Sequence, residues 1–386
     1  MNLKTTLNLY ICIVTLFLLC ECNTEKGIER RFIQFDIIAS YPEKECNLED
    51  IAEIEYFQFG VNEDFLFSGD PSIITEEKVV FSNSNDDILF FSRNGKPLSK
   101  FNRRGNGPKE YPYTTGGHIY DENSDDLFVR THNMIMVYSS TGDFKRSLPL
   151  PEGASLYQIV NFDSKALLIY DEEDFFPAPF TFISKENGSV VETINIPMGK
   201  KLNLQVSVGV GDNFTVFFRP HISSIVRYNN GYLLSDASND TIYYYSQKKE
   251  LFPILVRNPK IHSMNPIITL SSFVEAGNYQ FMCTTKVVQV KFEDGGLPKT
   301  YLMRDKQTGS VYRQKITLNE YPGKVINISD ETIRVTQDSK LGLIVFSLVE
   351  LQDAYRENRI NGRLKKMVEN SDENGNNIYM FLHFKN

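Results

Sequence analysis

From about residue 50 onward, the chain alternates short apolar runs with small or polar punctuation. Lys78-Val-Val-Phe-Ser, Asp126-Leu-Phe-Val-Arg, Ala166-Leu-Leu-Ile-Tyr, Gly231-Tyr-Leu-Leu-Ser and Asn278-Tyr-Gln-Phe-Met-Cys are too short for helices and rich in aromatic and β-branched residues. That pattern predicts strands. Each run is followed by a second one that ends in a tight polar turn. Asp87-Ile-Leu-Phe-Phe-Ser-Arg-Asn-Gly-Lys is echoed by the segments starting at Met134, Phe180, Thr241 and Thr300, of which those at Met134, Phe180 and Thr300 also place a Gly after a polar residue. Such a Gly supplies the positive φ that a short hairpin needs.

The repeat recurs at roughly 40–60 residues, a period of propeller blades. The pattern therefore predicts an all-β fold: a six-bladed β-propeller of four-stranded antiparallel blades. Near the C-terminus the period changes. Leu341 to Leu348 still reads as a strand, but about 349–370 carries Leu351, Ala354, Tyr355, Leu364 and Met367 at helical spacing, and Ile378 to Phe384 closes as a strand. The expectation is a last blade with a helical insertion, its terminal strand pairing with an early segment such as Ala52 to Phe59. Closure of that kind protects the sheet edges.

Residues 1–22 read as a leader. Lys4 precedes an apolar run from Leu7 to Leu19. As a helix this run is roughly 20 Å long, too short for a bilayer core of about 30 Å. A secretory signal fits better than a membrane span. Cys20 and Cys22 follow directly, so one of the two is the expected lipidation site, with residues 23–386 forming one propeller domain. Cys46 and Cys283 are too few for a disulfide framework and lack metal-ligand spacing. The net charge of -8 argues against nucleic acid as a partner. The 28 Phe and 20 Tyr suit half-buried pleated surfaces.

The segment Asn94 to Tyr111, ending Arg103-Arg-Gly-Asn-Gly-Pro-Lys-Glu-Tyr, resembles the signature of the six-bladed propeller lipoproteins of Bacteroidetes, relatives of NHL-type propellers. The resemblance implies a cell-envelope address: an outer-membrane-anchored lipoprotein, periplasmic or surface-exposed. It implies no mechanism. Asn102 departs from the glycine usual there.

Ligand-contacting chemistry is expected from basic groups at strand ends, which a propeller gathers near its axis. These candidates are Arg103, Arg104, Arg130, His132, Arg219, His221 and Arg227. The turn at Arg103 to Tyr111 lacks the context of a phosphate loop and reads chiefly as a link between blades, with Glu110 pairing Arg103 or Arg104. No catalytic residue or metal ligand is assigned. The acidic runs 121–126 and 171–174 could hold calcium, but lack the alternation and Gly of an EF-hand loop. Phe175-Phe176 and Tyr243 to Tyr245 could stack on sugar rings or fill the space between blades. The sequence thus points to an exported binding module for a glycan, peptide or partner protein. The alternative is a metal-dependent propeller hydrolase or lyase with its site at the central channel.

Overall fold

The computed structural model describes residues 32–385, except for 60–63, 66, 68–69, 115–116, 132–133, 153, 155–157, 212–213, 336–340 and 373–374. Cys20, Cys22 and His132 fall outside the described residues. The architecture is all-β, with mostly antiparallel four-stranded blades in a propeller arrangement and few helices.

Three sheets follow one another in the chain with the same up-and-down order. The first joins Ile73–Ile74, Lys78–Ser82, Ile88–Ser92 and Pro97–Phe101; the second Ile119–Asp121, Asp126–Arg130, Met134–Tyr138 and Phe144–Pro149; the third Gln158–Asn161, Ala166–Tyr170, Phe180–Ser184 and Val190–Ile194. The apolar runs read from the sequence are the second and third strands of these sheets. They are buried on both faces, which is why they are continuous in hydrophobicity, whereas outer strands such as Phe144–Pro149 alternate between covered and exposed.

The blades are not uniform, which corrects the expectation of six like four-stranded units. The N-terminal strands β1 (Ile33–Asp36) and β2 (Glu43–Asn47) add in parallel to the outer edges of two sheets. One sheet, built from Ile225–Tyr228, Gly231–Leu234, Thr241–Tyr245 and Leu251–Asn258, thereby becomes five-stranded. The next is seven-stranded, because Ile268–Leu270 and Val274–Ala276 share the neighbour Tyr279–Lys286, and both β2 and Val325–Ile326 pair with Val311–Thr317. A two-stranded hairpin, Val206–Val210 with Phe214–Phe218, stands outside every blade.

The last sheet closes the ring. Arg334–Val335, Leu341–Phe346 and Ile378–Phe384 are completed by β3 (Ala52–Phe57), with Ala52 opposite Phe384 and Phe57 opposite Tyr379. The expected pairing of an early segment with the C-terminal strand is found. The insertion between Phe346 and Ile378 is two helices, Leu348–Arg356 and Gly362–Glu369, and not one continuous helix. Asn358 in a left-handed conformation (φ 55°) and Gly362 (φ 61°) sit at the turn between them. Leu351, Ala354, Leu364 and Val368 bury against the sheet beneath.

Aromatic rings fill the spaces between blades. Phe59 packs edge-on against Phe81 at 5.0 Å and Tyr379 at 4.9 Å, joining the closing sheet to the first. A second device repeats. Gly95 (φ 78°) and Gly142 (φ 84°) each end a third strand, and a side chain at either would collide with a ring on the preceding outer strand, Phe57 or Phe101. Arginines of outer strands and their links then bridge forward: Arg103 Nε donates to the Gly142 carbonyl at 2.8 Å, and Arg146 Nε to the Lys185 carbonyl at 2.7 Å.

In every such sheet, the start of the first strand and the end of the second lie at one end, because successive strands reverse. The links between blades lie at that same end.

Candidate functional site

At that end a cavity of about 360 Å³ opens between sheets that are distant in the chain. Gln158 starts a first strand and Tyr170 ends a second strand; Ser223 and Ser224 enter another first strand; Arg334 begins the first strand of the closing sheet. Because first strands are the innermost of each blade, their convergence places the cavity at the mouth of the central channel. Leu202 to Gln205 and Arg219 to Ser224, the two feet of the extra hairpin, complete the wall.

Three basic groups are among the described residues that line this space. Arg219 is held by two hydrogen bonds from Nε and Nη2 to Gln205 Oε1, at 2.8 and 2.6 Å. Gln205 is neutral, so the guanidinium is oriented without an ion pair among the described residues. His221 contacts Ser223 Oγ at 3.4 Å. Arg334 is exposed and makes no ion pair among the described residues. Glu172 is the one carboxylate among the described lining residues. The floor is polar and fixed. Gln158 bridges to the neighbouring first strand, donating to the Ile225 carbonyl at 2.7 Å and accepting from its N–H at 2.9 Å. Tyr170 donates to Asp236 Oδ2 at 2.5 Å, and burial beside that carboxylate pushes the phenol far up, so it stays neutral.

Behind the lining lies Asp330. Its Oδ2 accepts from the Ser223 N–H at 3.0 Å, while its Oδ1 is buried with no hydrogen bond. Burial raises this carboxyl above its ordinary range, although the Ser223 N–H and the nearby His221 pull the other way.

Of the sequence candidates, the structure brings Arg219 and His221 together here and leaves the others elsewhere. Arg227 turns inward: Nη1 donates to Tyr232 Oη at 2.7 Å, and its guanidinium lies 4.8 Å from the centre of that ring. Arg130 ends its strand near Gly117 and His118, where burial lowers its pKa. Arg103 is used in the link described above. Arg104 pairs with Asp86 at 3.1 Å, and not with Glu110. Glu110 instead accepts from the Gly107 N–H at 2.9 Å, and a side chain at Gly105 would collide with its carboxylate. The turn is thus a structural link wound around the buried Tyr111, whose hydroxyl accepts from Arg103 N–H at 3.1 Å and donates to the Asp86 carbonyl at 3.0 Å.

The sequence missed Arg334, Gln158, Tyr170 and Asp330. Tyr170 alone carried a signal, as the last residue of a recognised apolar run. The acidic runs are also accounted for. Asp121 binds Lys185 at 2.6 Å, Asp126 binds Lys145 and Arg146 at 2.8 and 2.5 Å, and Asp171 accepts backbone N–H groups of Glu173 and Phe176. Among the described residues, no group of three His, Cys, Asp or Glu side chains is placed to hold a metal ion. Cys46 and Cys283 are both free thiols. Phe176 is buried between blades, whereas Phe175 remains 40 % exposed.

A larger groove of about 680 Å³ runs between β3 and the helix Gly362–Glu369. Its arginine is already committed: Arg363 donates to the Ile54 carbonyl at 3.0 Å and pairs with Glu320 at 3.2 Å.

The fold and this end of the channel define a β-propeller with an axial, cation-lined cavity. The chain belongs to the family described as a domain of unknown function, DUF4934, whose model matches residues 32–383. That match replaces the looser resemblance to Bacteroidetes lipoproteins and NHL-type propellers with one defined family. No curated protein matches the chain. Among solved structures, a Bacteroides fragilis protein described as exported is similar over 92 % of this chain and 100 % of that chain, at 14 % identity and a TM-score of 0.63. A DUF4221 member from Bacteroides vulgatus covers 87 % of this chain and 97 % of its own at 12 % identity, with a TM-score of 0.49. At 14 % identity the likeness to the Bacteroides fragilis protein shows the fold alone. No helix among the described residues is long and apolar enough to cross a membrane.

Proposed function

We propose that the chain is an exported, lipid-anchored propeller that binds an anionic, polyhydroxylated ligand, on a glycan, peptide or partner protein, at its axial cavity without turning it over. The observation that carries this reading is the convergence of Arg219, His221 and Arg334 on one cavity, with neither guanidinium in an ion pair among the described residues. Guanidinium groups match carboxylate and phosphate geometry in a bidentate manner. The apolar run before Cys20 and Cys22 supports the lipid anchor.

The alternative of a metal-dependent hydrolase or lyase asks for several oxygen ligands around an open coordination position. A lining with two arginines, one histidine and one carboxylate favours binding over that chemistry. Calorimetric titration of the mature protein with a panel of small di- and tricarboxylates and acidic oligosaccharides tests the reading. Binding that is lost in Arg219→Gln/Arg334→Gln supports it; binding unchanged in that variant overturns it. Palmitate labelling of cells expressing Cys20→Ala or Cys22→Ala tests the anchor: one change should abolish incorporation. Labelling that survives the double change rules the anchor out.

A further inference from the structure

The hairpin outside the blades has two unlike faces. Val206 pairs with Phe218, Ser207 with Phe217, Val208 with Val216 and Gly209 with Thr215. Side chains alternate along each strand, so Val206, Val208, Val216 and Phe218 share one face. That face packs on Val290 and Leu297 of a neighbouring loop. Ser207, Gly209, Thr215 and Phe217 share the other, and all four are exposed. Phe217 is 57 % exposed, and a side chain at Gly209 would meet nothing within 4 Å. The face is therefore a single aromatic ring standing beside a floor of small residues.

The next pair in register continues this face. It is Gln205 opposite Arg219, and the hydrogen bonds between their side chains place both on one side. Both line the axial cavity. Phe217 thus lies two residues from Arg219 on the same face, about 7 Å along the strand. The exposed ring extends the wall of the cavity beyond its rim.

We propose that this open face is a saccharide-stacking subsite, and that the ligand of the axial cavity is an acidic oligosaccharide. One pyranose ring lies on Phe217 above Ser207, Gly209 and Thr215, and the carboxylate of an adjoining sugar reaches Arg219 and Arg334. The inference rests on the axial binding reading given above. An apolar side chain of a peptide would gain most from a walled pocket, whereas this ring is open at its sides and suits a flat partner with polar edges. Thr215 and Ser207 supply hydroxyls at those edges. The guanidinium groups select a sugar that carries an acid.

The test is calorimetric titration of the mature protein with tri-galacturonate, tri-mannuronate and tri-guluronate, with neutral maltotriose as the control. The expected result is binding of at least one uronate trimer and none of maltotriose. Phe217→Ala should weaken that binding at least tenfold, and Phe217→Trp should retain it. Arg334→Gln should also weaken it. The exposed position of Phe217 leaves the unfolding midpoint unchanged, which separates a lost contact from a lost fold. Binding sensitive to Arg334→Gln but indifferent to Phe217→Ala overturns the subsite and leaves the axial reading standing. Binding of a tricarboxylate but of no uronate trimer overturns the saccharide assignment alone. If no anion binds, both fall.

Discussion

Arg219 is fixed by the amide oxygen of Gln205 across the foot of the hairpin, and this neutral partner leaves its charge available to the cavity. Arg363 in the groove beside β3 shows the contrasting arrangement, with Glu320 at 3.2 Å. The two arginines differ in what is already bound to them. Replacing Gln205 with Glu would give Arg219 an internal counter-ion. Gln205→Glu is expected to weaken anion binding about tenfold or more while leaving the fold intact, because Gln205 is only half-buried and Arg219 is exposed. Titration of the variant beside Gln205→Asn, which keeps the neutral amide, checks this.

His118 provides the pH dependence. It is 4 % exposed, neither ring nitrogen has a hydrogen bond, and burial pushes its pKa down to about 4. In the unfolded chain the imidazole titrates near 6.5. The folded value is depressed, so this contribution to stability is complete above about pH 6.5 and is lost as the pH falls towards 4. At pH 4.5 the loss amounts to about 2–3 kcal/mol. Urea unfolding at pH 7.5 and pH 4.5 should show this extra loss in the wild type and not in His118→Leu.

The buried pair Lys185–Asp121 holds the second and third sheets together at 2.6 Å, with both side chains 5 % exposed. Lys185→Met strands a carboxylate in the interior and should cost about 3–5 kcal/mol. Removing both charges in Lys185→Met/Asp121→Leu should recover much of that loss. Denaturant titration of the two single variants and the double variant gives the coupling.

In the link between the first two blades, the weight rests on Tyr111 more than on Arg104. Tyr111→Phe deletes a buried hydroxyl that serves two backbone groups and should cost about 1–3 kcal/mol. Arg104→Ala breaks a pair whose arginine is 56 % exposed, and should cost under about 1 kcal/mol. Unfolding midpoints of the two variants should rank in that order.

Much of the blade pattern was legible because it is written in local chemistry. Ile88 to Ser92, Met134 to Tyr138 and Phe180 to Ser184 are buried on both faces, and their turns need residues such as Gly95 and Gly142. The closure by Ala52 to Phe57 was legible for the same reason. The strand β2, Glu-Lys-Glu-Cys-Asn, was not: it is an edge strand held by backbone bonds, and its side chains carry no apolar period. The hairpin at Val206 to Phe218 was not read from the sequence, because it is a copy of no blade strand and pairs only with itself. Arg219 and His221, which line the cavity, stood out in the sequence as basic groups beside a strand. Arg334 and Gln158 reach the same cavity through closure of the ring, a relation between residues over 170 positions apart that no local pattern records. Arg227 lies apart from that cavity, with its Nη1 donating to Tyr232, five residues on.

The most direct test of the axial site is a crystal structure of the mature protein with a bound anionic ligand from the titration panel. Ligand density in contact with Arg219, His221 and Arg334 at the channel mouth is the predicted result. Density in the groove between β3 and the helix Gly362–Glu369, or at the opposite end of the channel, would contradict it.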